Sequence, residues 1–234
     1  MNPVVTLAAA TEAGNRPLAV LVLLVMLSLL PFLLLMLTSF VKISVVISIL
    51  RSAMGAAQVP PAQVVTGLAL LLTVFVMAPT AERIWDSVQP VWEEDSPADL
   101  LSAGGFAVVG RAVLAGKAPV VHFLERHAQG RDRETFLALA RRLRTPEAAA
   151  RVSSGDLVVL APAFVVSELR RAFEMGFLIF IPFLVIDIVV ASLLAALGLQ
   201  LLSPSLVSLP LKLLLFVLAD GWNLVLRGLV ASYV

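Results

Sequence analysis

Residues 17–41 form a run of 25 residues without a single charged side chain. As an α-helix, this run is longer than the roughly 20 residues that cross the hydrocarbon core of a bilayer, so it places the chain in or against a membrane. Lys42 and Arg51 follow in otherwise apolar sequence, and Pro60 and Pro61 then interrupt it. A helix that only anchors a chain in lipid would not carry such residues, because a charge at bilayer depth costs at least ~2.5 kcal/mol.

The composition supports a membrane protein and limits the kinds of site that the chain can carry. Apolar residues make up 60% of the 234 positions and charged residues 14%, whereas about 25% charge is usual in soluble proteins. The formal net charge of +1 gives no indication of a nucleic-acid partner. Cysteine is absent, so a disulfide or a cysteine-based metal site is excluded, and we expect no cofactor. No Lys or Arg precedes Arg16, which is a poor match to a cleavable signal peptide, and we expect the first apolar run to be retained.

Charged residues divide the chain into two apolar parts and one polar insert. Residues 82–156 hold 21 of the 33 charged residues. We therefore expect N-terminal hydrophobic helices in 1–81, a polar helical insert in 82–156 and C-terminal hydrophobic helices in 157–234. Apolar residues in 119–144 recur at spacings of three and four, which is typical of an amphipathic helix. The sequence predicts an all-α, membrane-associated fold.

Prolines predict where the hydrophobic helices break. A proline inside a helix removes one backbone hydrogen bond and clashes with the preceding turn. In 157–234 the apolar runs are short and are separated by proline, glycine or charge, which predicts broken or hairpin helices. Helix breaks are predicted at Pro60, Pro61, Pro182, Pro204 and Pro210.

The two histidines, His122 and His127, lie in the string H-F-L-E-R-H. This string is close to a zinc-protease pattern but has one residue too many. Five residues of helix rotate by about 500°, which leaves the two rings roughly 140° apart. Since a zinc site also needs three or four ligands, we favour a structural or surface role for both and expect no metal.

Two acidic residues, Asp187 and Asp220, lie in apolar sequence. They are compatible with an aspartyl protease dyad, with a proton relay, or with ion pairs to Lys42, Arg51 or Lys212. The cost of an unpaired charge at bilayer depth favours ion pairs. Neither aspartate lies in the G-x-G-D pattern of known intramembrane proteases.

A charged segment, 167–174, separates two apolar runs of the C-terminal part. Ser167 has a side chain suited to cap the start of a helix. Arg170 and Glu174, four residues apart, would share a helix face and could pair there. The sequence has no glycine-rich phosphate loop, nucleophile elbow or dinucleotide-binding fingerprint, so nothing in it indicates an enzyme.

Six segments taken together resemble the FliP/SctR family, the core export-gate protein of bacterial type III secretion. They are L-P-F-L-L-L-M-L-T-S-F-V-K-I-S-V-V-I-S-I-L-R (30–51), Q-V-P-P (58–61), G-L-A-L-L-L-T-V-F-V-M-A-P (67–79), A-F-V-V-S-E-L (163–169), G-F-L-I-F-I-P-F-L-V-I-D (176–187) and S-L-P-L-K-L-L-L-F-V-L-A-D-G-W (208–222). They occur in the family's order and flank a variable polar insert. The T-S-F-V-K-I-S form with Lys42 and the closing L-V-A-S-Y are more similar to the virulence-type injectisome protein than to flagellar FliP.

The resemblance implies a helical protein of the bacterial inner membrane that passes several times through it. Members of the family assemble as a homopentameric ring with two smaller hydrophobic proteins, which are SctS/FliQ-like and SctT/FliR-like. The ring encloses a narrow channel through which unfolded substrates pass, and much of it lies on the periplasmic side, where we place the insert. Charged residues would hold helices and neighbouring subunits in register: Lys42, Arg51, Glu168, Asp187, Lys212 and Asp220.

The resemblance also implies where the pore closes. In many flagellar relatives a run of methionines follows the glycine equivalent to Gly198 and forms a soft gasket. Here the gate residues are Leu199, Gln200, Leu201 and Leu202. Leucine is apolar enough to narrow a pore but lacks the flexible thioether of methionine, so a partner could supply part of the seal.

Two other functions are compatible with the sequence. A proton-coupled secondary transporter would use Asp187 or Asp220 as its proton site, and broken helices would suit it. An intramembrane aspartyl protease would use both aspartates as its catalytic pair. The small number of apolar segments and the lack of an inverted repeat disfavour the transporter.

Overall fold

The computed structural model describes residues 35–55, 60–94, 103–199 and 201–234, and before them positions 21, 25, 28, 29 and 31–33. It divides into two compact units, Met1–Leu37 and Thr38–Val234. In the first unit, the described positions between 21 and 36 are helical and form α1. The described positions of the uncharged run between 21 and 36 therefore have the predicted helical conformation.

The second unit confirms the predicted all-α fold, since its described residues form eight helices and no strand. Their bounds are Phe40–Ala53 (α2), Ala62–Glu94 (α3), Ala103–His127 (α4), Gly130–Arg142 (α5), Pro146–Ala150 (α6), Leu157–Ala196 (α7), Pro204–Leu218 (α8) and Gly221–Ala231 (α9). α2 ends just before Gly55, whose φ of 73° is in the left-handed region that stops a helix. α3 begins directly after Pro60 and Pro61, as the sequence predicted.

Helix α7 is the element of this unit that the other helices share as a packing partner, because α2, α4, α5 and α8 all pack against it. Apolar side chains at helical spacing on α2 and α7 are completely buried: Ile43, Val46, Ile47, Leu50, Val159, Leu160, Ala163 and Phe164. Each large aliphatic side chain buried in this way contributes about 1.5–3 kcal/mol relative to exposure. The two helices come very close at Gly176, where an added Cβ would lie 2.4 Å from Cδ1 of Ile49. Only glycine fits at this position without a shift of Ile49.

Helix α3 packs against α2 and α4 along one narrow stripe. Its buried residues are Val65, Ala69, Thr73 and Thr80, which recur at intervals of one or two turns. The opposite side is apolar and exposed, and Leu71, Val74 and Phe75 each expose about 70% of their surface or slightly less. A helix that is apolar all round but covered on one side faces lipid or further protein on the other.

The polar insert packs against α7 through α4 and α5, and the short α6 packs against α5. Ala140, Val152 and Val159 form a small buried core, against which Phe136 and Leu137 pack. At the start of α7, the main-chain amide and the hydroxyl of Ser153 both donate to Asp156 and lower the pKa of this carboxyl group. The expected boundary between the N-terminal part and the insert, after residue 81, lies inside the continuous helix α3.

The helix breaks predicted at Pro182 and Pro210 were wrong. α7 continues through Pro162 and Pro182 for 40 residues, while α8 begins at Pro204 and continues through Pro210. A proline costs its helix one backbone hydrogen bond, but in apolar surroundings the rest of the backbone has no partner outside the helix. Interrupting the helix would leave more backbone groups unsatisfied than keeping it. The C-terminal part is therefore one long helix and a shorter pair.

Three helices in the described part of the chain are long and apolar enough to cross a membrane. They lie in Ala62–Glu94, Ala107–His127 and Leu157–Ala196. α8 and α9 together would make a fourth span if they are counted as one, although they are bent by 62° at their junction. These helices agree with the predicted multi-pass membrane protein.

Candidate functional site

Polar and charged groups form three clusters at α7, two of which use neighbouring residues of this helix. The remainder of this helix is strongly apolar, so each buried charge on it needs a partner. We name the three groups after their position: the central cluster (Lys42, Glu168, Arg171, Tyr233), the insert cluster (Gln129, Asp132, Ser167, Arg170) and the terminal cluster (Ala53, Asp187, Ser208, Lys212). Each of them joins α7 to another part of the chain.

The central cluster is a buried ion pair that joins α2, α7 and the end of the chain. The Lys42 ammonium lies 3.3 Å from a carboxylate oxygen of Glu168, and neither side chain is exposed at all. Arg171 adds a second cation 3.4 Å from the same carboxylate. Lys42 is one turn before Val46 and Glu168 one turn after Phe164, so helical periodicity places both charges on packed faces.

Tyr233 completes the central cluster from the C-terminal side. Its hydroxyl donates a hydrogen bond to Glu168, and the Lys42 ammonium lies 3.5 Å from the centre of its ring. Burial, and then the neighbouring carboxylate, raise the pKa of the Tyr233 phenol, so the hydroxyl remains a donor. A carboxylate with three donors and a cation over an aromatic face is well compensated. This arrangement holds the last residues against α2 and α7.

Aromatic rings exclude water from one side of this cluster. The His127 ring lies 5.0 Å from the Tyr233 ring in an edge-to-face arrangement, and the Phe123 ring lies 4.7 Å from that of His127. Phe123 also contacts Phe164 on α7, with ring centres 5.6 Å apart. His127 is thus buried in an aromatic group, while His122 is exposed on α4.

The insert cluster connects the first turn of α5 to α7. Asp132 accepts hydrogen bonds from the Ser167 hydroxyl at 2.7 Å and from the Arg170 guanidinium at 2.8 Å. The main-chain amide of Gln129 donates to Ser167, and its side-chain oxygen accepts from Arg170. Asp132 also lies in the first turn of α5, where the helix dipole favours a negative charge.

Two sequence predictions for this segment were wrong. Ser167 does not cap a helix start, because it lies completely buried inside α7. Arg170 pairs with Asp132 on α5 rather than with Glu174 on its own helix. Both side chains serve a contact between distant segments, which sequence spacing does not reveal.

The terminal cluster joins α7 to α8 and to the end of α2. Asp187 accepts from the Lys212 ammonium and from the Ser208 hydroxyl, both at 2.7 Å. Lys212 also donates to the carbonyl oxygen of Ala53, the last residue of α2, at 3.1 Å. A cation at this end compensates the negative end of the helix dipole and supplies a donor to one of the last carbonyl groups of the helix. Lys212 is buried, whereas the Asp187 side chain is 38% exposed.

The predicted gate lies at the turn between α7 and α8. α7 ends in a Schellman motif: the amide of Gly198 donates to the carbonyl of Ala195, and the amide of Leu199 donates to that of Leu194. The φ of Gly198 is 71°, which favours glycine there. Beyond it Leu199 and Leu202 are about half exposed and Leu201 is fully exposed, whereas Gln200 lies outside the described residues.

The two remaining predicted charges, Asp220 and Arg51, lie outside the three clusters. Asp220 precedes α9 with a φ of 48°, and its carboxylate accepts from the Asn223 amide at 2.8 Å. No hydrogen bond joins Asp187 to Asp220 among the described residues, and the two have different partners. Arg51 lies in the last turn of α2 and is partly exposed. The part of the chain that the structure describes contains no group of three potential metal ligands.

Sequence reasoning missed Tyr233, Asp132 and Ser208 as members of these clusters. Tyr233 carried a signal, because it is the only tyrosine in the chain and directly follows an apolar helix. Asp132 and Ser208 carried no such signal. Asp132 is an ordinary polar residue in the first turn of α5, and Ser208 is an ordinary polar residue near the start of α8. Their partners are 35 and 21 residues away in sequence.

Known proteins match this chain over most of its length, and the matches agree with one another. A model described as the FliP family matches residues 23–229. The chain is 43% identical to "Yop proteins translocation protein R" of Yersinia pestis, covering 91% of this chain and 94% of that protein. It is 40% identical to "Hypersensitivity response secretion protein HrcR" of Ralstonia nicotianae, over 92% and 96% of the two chains. It is 45% identical to "Flagellar biosynthetic protein FliP" of Pectobacterium carotovorum, over 91% and 77%.

Proposed function

Because the chain belongs to the FliP family, we propose that it is a core subunit of the export gate in a bacterial type III secretion system. The family match over residues 23–229 is the observation that carries this proposal. Relatives named for translocation, secretion and flagellar biosynthesis are 40–45% identical to it. The role of such a subunit is mechanical rather than enzymatic: it forms part of a passage for unfolded proteins through the inner membrane.

A ring assembly with further export subunits is part of the proposal. α7 and α8 bury charged clusters on their inner sides while their outer sides are apolar and exposed, as at Phe173, Phe177, Leu178 and Leu214. These surfaces suit contact with copies of the same chain, with lipid and with small hydrophobic proteins. A homopentamer joined by SctS/FliQ-like and SctT/FliR-like subunits would cover them, and much of this ring, with the insert, would lie on the periplasmic side.

Within the ring, we assign pore closure to the turn at 199–202. It exposes three leucines on a glycine-capped helix end, where only protein or lipid could cover them. Apolar side chains that converge in a ring narrow a channel and resist wetting by water and ions. The three clusters on α7 would keep the helices that bear this turn in a fixed arrangement.

We favour the injectisome form over the flagellar one. The resemblance to the injectisome protein depended on Lys42 and on the closing segment that contains Tyr233. In the structure these two residues are in direct contact, with the ammonium 3.5 Å from the ring centre, and they share Glu168. The two features are thus one structural unit rather than two separate resemblances.

The transporter and protease alternatives receive no comparable support. The two aspartates that either would need lie in separate polar contacts, one with Lys212 and Ser208 and the other with Asn223. An ion-paired carboxylate is a poor proton shuttle, and a protease dyad needs two carboxyl groups in mutual contact.

Deletion of the gene in its host tests the proposed function. We expect the type III substrates to disappear from the culture supernatant while they still accumulate inside the cell, and a plasmid copy to restore them. Swimming motility serves as the parallel readout. Loss of secretion with normal motility supports the injectisome assignment, and loss of motility alone would assign the chain to the flagellar system. If both are normal in the deletion strain, the proposed function is wrong.

A further inference from the structure

A small cavity lies between α3, α4 and the C-terminal segment, and Tyr233 of the central cluster is part of its lining. Its polar lining consists of Arg83, His122, Arg126, His127, Thr80 and Tyr233. The volume is about 110 Å³. Since a water molecule takes up about 30 Å³ in the liquid, a group the size of a phosphate fits into this space.

The lining is basic and contains no carboxylate. Glu82 and Asp86 on α3 and Glu125 on α4 are close in sequence but do not line the cavity. Within the described ranges, the side chain of Arg83 makes neither a hydrogen bond nor an ion pair. Arg126 donates to the main-chain oxygen of Val234 at 2.7 Å, which occupies one of its five N–H groups. Two guanidinium groups with free donors favour a tetrahedral oxyanion, which they bind bidentately.

The position along α3 matches the level of lipid headgroups. Residues 62–81 of this helix are uncharged, and the charged part of the chain begins with Glu82 and Arg83. Basic pockets between membrane helices at this level are suited to anionic headgroups. A larger cavity of about 410 Å³ shares Arg126, His127 and Tyr233 with the first, so the two cavities are neighbours. Glu174 lines this second cavity and offers an acceptor for headgroup hydroxyls.

We propose that this cavity binds the phosphate group of an anionic phospholipid, held by Arg83 and Arg126 between α3 and α4. The site is separate from the proposed gate at 199–202, which follows the C-terminal end of α7. A bound headgroup would link α3, which otherwise packs along one narrow stripe, to the segment that carries Tyr233. Phosphatidylglycerol combines a single negative charge, which suits the two arginines, with two hydroxyl groups, for which Glu174 of the neighbouring cavity offers an acceptor.

The test uses the full chain in mild detergent and follows its thermal unfolding. Short-chain phosphatidylglycerol is titrated, with phosphatidylcholine and inorganic phosphate in parallel at equal ionic strength, and apparent Kd values are derived from the shift in Tm. Arg83→Gln is the informative variant, because Arg83 is exposed and makes no contact that the fold needs. We expect it to weaken phosphatidylglycerol binding about tenfold, the effect of losing one charge-assisted contact. Arg142→Gln, an exposed arginine on α5 away from the cavity, is the matched control and leaves the Kd unchanged.

Each outcome decides the proposal. Preference for phosphatidylglycerol over phosphatidylcholine that depends on Arg83 and not on Arg142 supports a lipid phosphate site. Stabilisation by inorganic phosphate that Arg83→Gln removes supports the phosphate site and identifies free phosphate as its source. Equal Kd values for wild type, Arg83→Gln and Arg142→Gln would overturn the proposal, as would the absence of any effect of phosphatidylglycerol and phosphate on wild type. Circular dichroism of both variants before titration verifies that they are folded.

Discussion

At the scale of single residues, the central cluster shows how an apolar chain tolerates complete burial of a charge. Lys42 and Glu168 come from segments 126 residues apart and have no contact with water. Arg171 and the Tyr233 hydroxyl are further donors to Glu168, and the Tyr233 ring faces the Lys42 ammonium. Compensation of this kind is needed because desolvation of two ions costs several kcal/mol each.

The variant Glu168→Gln tests the energetic weight of this pair. It keeps the shape of the side chain and leaves Lys42 buried without a carboxylate, so we expect the free energy of unfolding to fall by roughly 3–5 kcal/mol. Chemical unfolding in detergent, followed by circular dichroism, measures the loss. Glu174→Gln on the same helix is the control, because Glu174 is exposed and forms no ion pair in the described part of the chain. Equal stability of the two variants would show that the buried pair contributes nothing.

At the scale of helices, the contact between α2 and α7 depends on one residue without a side chain. Gly176 faces Ile49, and the backbones approach so closely that a methyl group would enter the space of the isoleucine. Small residues at such crossings allow close helix packing where no hydrophobic effect drives association. Because α2 carries Lys42 and α7 carries Glu168, the same crossing also sets the distance of the buried ion pair.

Gly176→Ala should therefore destabilise the protein by about 1–3 kcal/mol, as overpacking of a tight contact does. A shift in Tm measured by differential scanning fluorimetry detects the change. The double variant Gly176→Ala with Ile49→Ala should recover part of the loss, since it removes the atoms at 2.4 and 3.0 Å. Gly67→Ala on α3, where no atom lies within 4 Å, is the control and should be neutral or slightly stabilising. A Tm for Gly176→Ala that equals that of Gly67→Ala would contradict this interpretation.

The turn between α7 and α8 carries the proposed gate, and substitutions in it should change the ion permeability of the channel. Replacing Leu199, Leu201 and Leu202 together with Ser should make the assembled channel permeable to small ions, because polar side chains wet a constriction. Conductance in planar bilayers, or ion efflux from vesicles that contain the complex, measures the leak. Leu139, Leu143 and Val158 form another exposed apolar group beside α5, and their replacement by Ser is the control. A gate variant that is as tight as wild type would remove the assignment of 199–202 to the gate.

At the scale of the whole molecule, the exposed apolar surface indicates that this chain works as part of an assembly. Long faces of α3, α7 and α8 are uncovered in the isolated chain, including Leu71, Val74, Leu178 and Val217. Lipid can cover some of them, but the bend of 62° between α8 and α9 is not the geometry of a simple span. Neighbouring subunits would cover the rest.

We expect the chain to form a closed ring of several copies, five by the family's example, when it is expressed together with the two small export subunits of its own system. Native mass spectrometry of the complex from mild detergent gives the number of copies. The variant Asp187→Asn, which removes the ion pair with Lys212, should lower the yield of this complex. A chain that stays monomeric or dimeric with its partners present would contradict the ring.

The sequence alone determined the fold class and the family. Hydrophobicity and the satisfaction of backbone hydrogen bonds are local properties, so the uncharged run, the periodicity and the glycine stop at the end of α2 could all be predicted from neighbouring residues. The expectation that intramembrane charges are paired came from the same local argument.

Only the tertiary structure decided which partner each charge has and which prolines a helix tolerates. Arg170 could have paired with Glu174 by spacing, yet packing of α5 on α7 brings Asp132 closer. The low helix propensity of proline predicted breaks at Pro182 and Pro210, yet both lie inside continuous helices. In an apolar environment a continuous helix leaves fewer backbone groups without a hydrogen bond than an interrupted one. Tyr233 reaches Glu168, 65 residues earlier, through a fold that no local pattern encodes. Partner choice depends on distances between segments that are remote in sequence, and those distances are set by the packing of whole helices.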